Sequence, residues 1–359
     1  MDVESKLKLV LRDVEEVVTE GELRELIEVG GGKGYLGFEP SGLFHIGWLI
    51  WAYKFKELVE AGFKMTLLAA TWHAWINDKL GGSLELIRAA AQHVVDVLNA
   101  VGLERGFQVV YAEDLVDSSD YWATLIKVAK STSVARVRRA LTIMGRKVDE
   151  AESDFSKLVY PLMQVTDIFE LDVDIALGGI DQRKAHMLAR DVAEKLGRKK
   201  VVAIHTPLLP SLLGVTKMEV ASLPRDEMMA EIKMSKSKPE SAIFLTDSDE
   251  EIKSKIAKAY CPPREVDGNP VLGIAKHLIF RGSEVEFQID RPSKYGGPVT
   301  YLKYEELERD YADGKIHPAD LKNSIAEYLV ERVVGPIRSY VVRSEREELL
   351  RKIATAITR

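Results

Sequence analysis

The chain has 359 residues, 46% of them hydrophobic and 30% charged, a length and composition typical of a globular protein with more than one domain. Its single cysteine, Cys261, excludes an internal disulfide bond and leaves no zinc site of the usual cysteine–histidine spacing. The net charge is −6, no apolar run reaches the ~18 residues of a membrane span, and the N-terminus lacks a signal-peptide pattern. We therefore expect a cytoplasmic protein with no membrane partner.

The predicted elements begin with one helix over the first thirty residues, because Leu23, Leu26 and Ile27 lie on one helical side and three glycines follow from Gly30. Apolar strand-like runs then alternate with amphipathic helices. The expected strands are 35–38, 65–70, 108–111, 173–177 and 201–204, and the expected helices include 45–59, 84–101 and 182–196. This alternation predicts an α/β fold of the Rossmann type, a parallel, doubly wound sheet with right-handed crossovers.

The rest of the chain interrupts or follows this alternation. Residues 112–155 are mostly helical in pattern, which predicts a helical insertion within a sheet domain that spans residues 1–217. A segment rich in proline, serine and methionine follows, and we assign residues 218–247 to a mobile loop and linker. Beyond Ser248 the pattern is helical, and it predicts an all-helical second domain over residues 248–359.

A basic segment lies within the predicted insertion. No acidic residue occurs between Asp120 and Asp149, although the whole chain is acidic. Such a segment is either a solvated helix face or a stripe that positions a nucleic acid. Its basic residues are Lys127, Lys130, Arg136, Arg138, Arg139, Arg146 and Lys147.

The first chemical motif lies between a predicted strand and a predicted helix. It consists of the glycine-rich run 37–42 and of His45-Ile46-Gly47. In a doubly wound sheet, ligands bind at the carboxyl ends of the strands, where glycines allow a nucleotide to approach the backbone. An imidazole there can donate a hydrogen bond to phosphate. The alternative is a core histidine beside the glycine at a helix start.

The second motif is Lys233-Met234-Ser235-Lys236-Ser237, in the proline-broken loop. Two lysines separated by a short turn can both reach one polyphosphate, and a flexible loop lets them engage as charge develops on a leaving pyrophosphate. The alternative is an ordinary solvated loop.

Together, the two motifs resemble the HIGH and KMSKS signatures of class I aminoacyl-tRNA synthetases, in the same order. The second signature matches fully, whereas Trp48 replaces the last histidine of the first. The resemblance implies that His45, Gly47, Lys233 and Lys236 are catalytic, that Mg²⁺ assists them, and that an ATP site comprises Gly37, His45, Gly47, Lys233, Met234, Ser235 and Lys236.

Three polar residues recur on one face of a further predicted helix. Tyr160, Gln164 and Asp167 are spaced i, i+4 and i+7, and apolar residues occupy the other sides. A polar stripe on an otherwise apolar helix either faces solvent or lines a cavity. The apolar surroundings favour the cavity.

This segment, with the runs 35–42 and 178–186, resembles the archaeal and eukaryotic-type tyrosyl-tRNA synthetases over about residues 20–335. The resemblance implies that Tyr35 and Asp167 bind the phenol hydroxyl of tyrosine. It also implies that the α-amino group is bound by Tyr160, Gln164 and Gln182, and that His73 and Tyr121 line the pocket.

The same resemblance implies contacts with tRNA(Tyr). Arg139, Arg183 and Lys184 match positions near the first acceptor base pair. The positions matched around the first anticodon base are Tyr295, His317 and Asp320, residue types that stack on and hydrogen-bond an unpaired base. His317-Pro318 is equally typical of a helix start. The family also implies a homodimer formed through the insertion.

The expected activity is that of a tyrosine–tRNA ligase, which forms tyrosyl-adenylate from tyrosine and ATP and transfers the tyrosyl group to tRNA. A tryptophanyl enzyme is the nearest alternative, but an indole nitrogen can only donate, so Asp167 opposite Tyr35 favours a phenol. Two further alternatives are a small-molecule nucleotidyltransferase and a non-catalytic RNA-binding paralogue.

Overall fold

The computed structural model describes residues 1–145, 154–214, 233–236, 238–281 and 285–356. Arg146, Lys147 and Ser237, and residues 218–232 of the predicted loop, lie outside these ranges. Within the described ranges, no helix combines the length and the apolar composition that crossing a membrane requires.

In the described part of the chain the main sheet has six strands in the order β1-β6-β5-β2-β3-β4, and all neighbouring pairs are parallel except β1 with β6. Its strands are β1 (Glu16–Val18), β2 (Lys33–Phe38), β3 (Lys64–Ala69), β4 (Phe107–Tyr111), β5 (Ile175–Gly179) and β6 (Val202–Thr206).

The helices that surround the sheet follow the predicted pattern except at the N-terminus. They are α1 (Val3–Leu11), α2 (Glu20–Glu28), α3 (Leu49–Glu60), α4 (Thr71–Ile76), α5 (Leu84–Ala100), α6 (Ala112–Val116), α7 (Ser119–Lys130), α8 (Val134–Ala140), α9 (Phe155–Glu170) and α10 (Arg183–Lys195). Helix α5 shows how the amphipathic pattern of the sequence corresponds to a capped helix with one buried face. The Ser83 hydroxyl accepts a hydrogen bond from the Leu86 amide at its start, and its inward face, including Val94 and Val97, is buried in the core.

The strand order places a topological switch point between β2 and β5. From β2 the chain winds outward through β3 to β4, and it then returns to β5 and winds in the opposite direction to β6. Helices leave these two central strands toward opposite faces, so their carboxyl ends open a crevice in which α/β proteins bind ligands. The predicted parallel, doubly wound sheet is confirmed.

The N-terminal region departs from the prediction, since the single expected helix is two helices separated by an antiparallel edge strand. Asp13 takes the left-handed conformation after α1, with φ at 51°. Thr19 then caps α2 reciprocally with Glu22, and a capping box begins a new helix rather than continuing an old one. The three residues of β1 between them pair with β6, with Val17 opposite Ile204.

The C-terminal region is helical as predicted, with one addition. Phe287–Ile289 and Val299–Tyr301 form an antiparallel hairpin, β7 and β8, so the region is not all-helical. Its helices are α11 (Asp249–Lys258), α12 (Pro270–Ile274), α13 (Tyr304–Ala312), α14 (Pro318–Tyr328), α15 (Gly335–Val341) and α16 (Ser344–Thr355), with π-helical turns over Ala275–Ile279 and Leu329–Val334. Buried side chains of α14 belong to the same continuous hydrophobic cluster as those of β2 and β3.

Candidate active site

A pocket of about 260 Å³ opens at the carboxyl ends of β2 and β5. This is the switch point of the sheet, where the first and second motifs also converge. Its wall carries most of the predicted substrate residues, namely Tyr35, Gly37, His45, Gly47, His73, Tyr160, Gln164, Asp167, Gln182, Lys233, Met234, Ser235 and Lys236. Residues separated by up to two hundred positions in the chain therefore share one cavity.

One end of the pocket is built around Asp167 of α9, whose side chain is buried. The Tyr121 hydroxyl donates a 2.8 Å hydrogen bond to Oδ1 of this carboxyl group, and Nε2 of His73 lies 3.3 Å from Oδ2. Burial raises the pKa of Asp167 to about 7, although the hydrogen bond from Tyr121 opposes this shift. Burial also lowers the pKa of His73 to about 4, so this imidazole is neutral at pH 7. Asp167 thus offers a hydrogen-bond acceptor inside a weakly polar site.

Two tyrosines flank this carboxyl group differently. Tyr35, on β2, lines the pocket and is hydrogen-bonded to Gln164, and burial and the nearby Asp167 keep its pKa well above the ordinary range. Tyr121, on α7, has no exposed surface and reaches the pocket only through its hydrogen bond to Asp167. The geometry therefore makes Tyr121 a support for Asp167 rather than part of the wall.

The polar stripe on α9 faces the pocket, as predicted. The Tyr160 hydroxyl donates to Oε2 of Glu39 over 3.0 Å, and Nε2 of Gln164 donates to Oε1 of Gln182 over 3.3 Å. Gln182 in turn donates to the carbonyl oxygen of Ile143 over 3.2 Å. These contacts fix three polar side chains on one wall.

The first motif forms the turn between β2 and α3. A 3₁₀ turn over Ile46–Trp48 begins the helix, and His45 precedes it with only 5% of its surface exposed. Burial, together with the nearby Lys236 and Lys233, holds the pKa of His45 well below its usual range, so the imidazole is neutral. Its Nδ1 is buried with no hydrogen-bond partner in the described part of the chain. A polar atom in this state is available to a ligand.

The glycines of this motif are required by close packing. A Cβ on Gly47 would lie 3.0 Å from Nδ1 and 3.1 Å from Cε1 of His45. A Cβ on Gly37 would lie 3.2 Å from a ring carbon of Tyr35. A side chain at either position would displace a pocket residue.

The segment that follows the second motif lies against the first motif, and the second motif itself is bonded to Leu209 of the pocket wall. The amide of Ile46 donates to the carbonyl oxygen of Ile243 over 2.9 Å, and the amide of Leu245 donates to the carbonyl oxygen of Phe44 over 2.9 Å. The amide of Met234 donates to the carbonyl oxygen of Leu209 over 3.1 Å, and Met234 is buried. Backbone hydrogen bonds therefore hold both motifs at one pocket, which local sequence does not dictate.

The two lysines of this motif have different surroundings. Lys233 forms an ion pair of 2.5 Å with Asp181. Lys236 is buried, and its ammonium donates to the Ser41 hydroxyl over 3.3 Å. Burial pushes the pKa of Lys236 well below its usual range, against the favourable field of Glu39.

Glu39, Ser41 and Asp181 are among the pocket residues to which the sequence alone gave no role. Each lies inside a segment that was singled out, since Glu39 and Ser41 belong to the run 37–42 and Asp181 to the run 178–186. Their polar character within a predicted nucleotide-binding turn was the available signal. Their partners were not visible from the sequence.

The residues matched to the acceptor stem lie on α8 and at the start of α10, next in the chain to pocket residues such as Gln182. Arg139 is exposed on α8, which an ion pair of 2.5 Å between Arg136 and Asp191 joins to α10. On α10, Lys184 donates to the Thr142 hydroxyl over 3.2 Å, and Arg183 is held by the Glu16 carboxylate at 2.8 Å. Arg139, Arg183 and Lys184 are the three residues predicted to contact the acceptor stem.

The residues matched to the anticodon lie in the C-terminal region. Tyr295 is 62% exposed, whereas Nδ1 of His317 accepts a 3.1 Å hydrogen bond from the Ala319 amide and caps α14. The predicted helix start at His317 is therefore confirmed. Asp320 follows in the first turn of α14. The guanidinium of Arg291 donates to the carbonyl oxygens of Gly297 and Lys315. It therefore links the segment that follows Tyr295 with the segment that precedes His317.

A Rossmann sheet whose switch point gathers a His-X-Gly turn and a Lys-Met-Ser-Lys segment defines the class of protein as a class I aminoacyl-tRNA synthetase. In agreement, the family model described as tRNA synthetases class I (W and Y) matches residues 32–221 and 226–333.

The chain is also similar to individual proteins over its whole length. It is 60% identical to the tyrosine–tRNA ligase of Aeropyrum pernix, with 95% of this chain and 94% of that protein covered. It is 56% identical to the tyrosine–tRNA ligase of Saccharolobus solfataricus, with 100% and 99% covered. The solved structure of Pyrococcus horikoshii tyrosyl-tRNA synthetase complexed with L-tyrosine superposes with a TM-score of 0.89 at 43% identity, covering 99% of this chain and all of that one. The chain belongs to the tyrosyl-tRNA synthetase family.

Proposed function

We propose that the pocket binds L-tyrosine beside ATP and that the protein charges tRNA(Tyr) with tyrosine. The observation that carries this assignment is the buried Asp167, which accepts a hydrogen bond from Tyr121 and lies beside His73 at one end of the pocket, near Tyr35. The phenol hydroxyl of tyrosine donates to Asp167 and accepts from Tyr35. Phenylalanine makes neither of these two hydrogen bonds, and a site built around buried polar groups strongly rejects an analogue that lacks the hydroxyl group.

A different part of the same pocket wall binds the α-amino group of the tyrosine substrate. Tyr160, Gln164 and Gln182 offer a hydroxyl oxygen and amide oxygens there, and these accept hydrogen bonds from an ammonium group. The nearby Glu39 carboxylate adds favourable charge. The carboxylate of tyrosine then points toward the first motif, where Gly37, His45 and Gly47 leave room for the nucleotide.

The reaction needs no covalent enzyme intermediate. A carboxylate oxygen of tyrosine attacks the α-phosphorus of ATP, the new O–P bond forms, and the bond to the bridging oxygen breaks, so that pyrophosphate leaves with the electron pair. Neutral His45 donates a hydrogen bond to a phosphate oxygen, and Lys233 and Lys236 stabilise the negative charge on the leaving pyrophosphate. The 2′- or 3′-hydroxyl oxygen of the terminal tRNA ribose next attacks the tyrosyl carbonyl carbon and releases AMP.

The donor set of the pocket fits a Mg²⁺ ion that arrives with ATP. The carboxylates nearest the first and second motifs, Glu39 and Asp181, already lie near Lys79 and Lys233. Phosphate oxygens and water would therefore supply most of the ligands of such an ion, as is usual for Mg²⁺. When bound, Mg²⁺ neutralises phosphate charge.

Exchange of pyrophosphate into ATP, measured with each of the twenty amino acids, tests the assignment. We expect exchange with tyrosine alone. Exchange with tryptophan would replace this proposal by the tryptophanyl alternative. Absence of amino-acid-dependent exchange would favour a nucleotidyltransferase or a non-catalytic paralogue.

We further propose a division of labour along the chain. Residues 1–217 form the catalytic domain with its insertion at 112–155, residues 218–247 form the loop and linker, and residues 248–359 bind the anticodon. Arg139, Arg183 and Lys184 contact the first acceptor base pair. The first anticodon base stacks on exposed Tyr295 and meets His317 and Asp320.

The protein acts in the cytoplasm as a homodimer. Support for the dimer comes from large apolar side chains exposed on or beside the insertion, which are Trp122, Ile126, Val134 and Phe155 at 50–78% exposure. Trp122 and Ile126 lie four residues apart on α7 and share one face. An apolar face of this kind is typical of an interface between copies of a chain.

A further inference from the structure

Trp48 occupies the last position of the first motif, where the class signature has histidine, and its ring contacts the second motif. The ammonium nitrogen of Lys236 lies 3.4 Å from the centroid of the Trp48 ring, over its face. The same ammonium donates to the Ser41 hydroxyl over 3.3 Å. The two signatures thus meet through an indole and a lysine.

The orientation of the indole is fixed by other aromatic rings. Phe44 and Phe38 meet it edge to face, with centroids at 5.5 Å and 6.3 Å. Trp51 and His45 pack at 5.7 Å each. Rings arranged in this way pack favourably and resist rotation of the indole. The face that meets Lys236 is therefore held toward the pocket before any nucleotide binds.

The contact matters because Lys236 is buried without a neutralising partner. Within the described ranges, no carboxylate oxygen lies within 4.0 Å of its ammonium, whereas Lys233 has Asp181 at 2.5 Å. A carboxylate partner would compete with the phosphates of ATP for the lysine. An aromatic face attracts a cation through its quadrupole, carries no net charge and does not repel phosphate.

We propose that Trp48 is a positioning residue that holds the Lys236 ammonium on its ring face beside Ser41, in place to meet the polyphosphate of ATP. This inference rests on the proposed function, since it assumes that Lys236 acts on ATP. The benefit of Trp48 is preorganisation, because the end of a loop is fixed at the pocket in advance.

A comparison of Trp48→Phe with Trp48→Leu tests the role of the ring face. Trp48→Leu should lower the kcat of tyrosine-dependent pyrophosphate exchange about 5- to 30-fold, which is the range expected for a desolvated cation–π contact. The KM for tyrosine should not change, because the ring contacts of Trp48 are with Lys236 and the aromatic cluster and not with Asp167. Trp48→Phe keeps an aromatic face and should stay within about 3-fold of the wild type. Equal losses in the two variants would overturn the proposal.

A double-mutant cycle with Lys236→Ala separates positioning from packing. Once Lys236 is absent, Trp48→Leu should cause little further loss of kcat, since its effect acts through the lysine. Phe55→Leu is the matched control, because Phe55 is a buried aromatic residue of α3 that packs on Phe107 and is not one of the rings that orient Trp48, and its effect should add to that of Lys236→Ala. If Trp48→Leu also adds fully, the proposal is wrong. Absence of tyrosine-dependent exchange in the wild type would instead refute the proposed function.

Discussion

Replacement of Asp167 by asparagine should weaken tyrosine recognition and stabilise the fold at the same time. Asparagine keeps the shape of the side chain and an oxygen that can accept from Tyr121, but it removes the charge. A hydrogen bond to a charged acceptor is stronger than one to a neutral acceptor by about 1 to 2 kcal/mol. The kcat/KM for tyrosine should therefore fall roughly 5- to 30-fold. Phenylalanine has no hydroxyl at this position, and its kcat/KM should change little.

The gain in stability follows from the buried carboxyl group. Its pKa is raised from 3.8 to about 7 in the folded protein, mainly by burial. The contribution of this group to stability is therefore fully present below pH 4 and is lost progressively as the pH rises to about 7. At 1.36 kcal/mol for each pH unit, the loss above pH 7 has an upper limit of about 4 kcal/mol. Asparagine does not titrate and avoids this loss.

Unfolding by guanidinium chloride at pH 5 and pH 8 measures this difference. The advantage of Asp167→Asn over the wild type should be roughly 2 kcal/mol larger at pH 8 than at pH 5, because all other titratable groups are common to both proteins. Pyrophosphate exchange with tyrosine and with phenylalanine gives the specificity ratio. An unchanged ratio of the kcat/KM values for tyrosine and phenylalanine would show that Asp167 does not bind the phenol hydroxyl. A difference in unfolding free energy that does not vary with pH would refute the role of the buried charge.

Three further predictions concern the nucleotide, the tRNA and the dimer. Lys233→Ala should slow adenylate formation in single-turnover assays about 10-fold or more, because the charge of Lys233 is needed only as pyrophosphate leaves. The affinity for tyrosine, measured by equilibrium dialysis, should stay the same. Equal losses in the rate and in the affinity would indicate a structural role. Asp320→Ala should reduce charging of tRNA transcripts with guanine at the first anticodon position about 10- to 100-fold, equivalent to about 1 to 3 kcal/mol, and leave pyrophosphate exchange near the wild-type rate. Loss of both activities would refute the anticodon assignment. Ile126→Asp should shift the sedimentation coefficient from that of a dimer toward that of a monomer. Leu302→Asp, which changes a similarly exposed apolar residue in the C-terminal region, should leave the sedimentation unchanged. A wild-type protein that sediments as a monomer would refute the dimer.

Local periodicity was sufficient for most of the fold. Strands β2 to β6 and helices such as α5 and α10 lie where alternating apolar runs and amphipathic patterns predicted them, because each pattern reports the face that its own element buries. The polar stripe of α9 was also predicted to line a cavity, since three polar residues on one apolar helix are costly without partners. Family resemblance, rather than periodicity, supplied the roles expected of single residues.

The short elements were not predictable in this way. Strand β1 has three residues and forms because β6 offers an unpaired edge, while the hairpin of β7 and β8 depends on pairing across a nine-residue loop. Segments of this length carry too little periodicity to distinguish strand from turn. Pairing with distant residues decides their structure.

The sequence by itself determined which residues are available for chemistry, the order of the two signature motifs, and the presence of a sheet whose strand ends bind ligands. Only the tertiary structure decided what those residues contact. It placed Tyr121 against Asp167, Asp181 against Lys233 and the Trp48 ring under Lys236. The physical reason is that periodicity encodes which face of an element is buried, whereas the pKa of a carboxyl group or the hold on an ammonium depends on partners that packing brings from far along the chain.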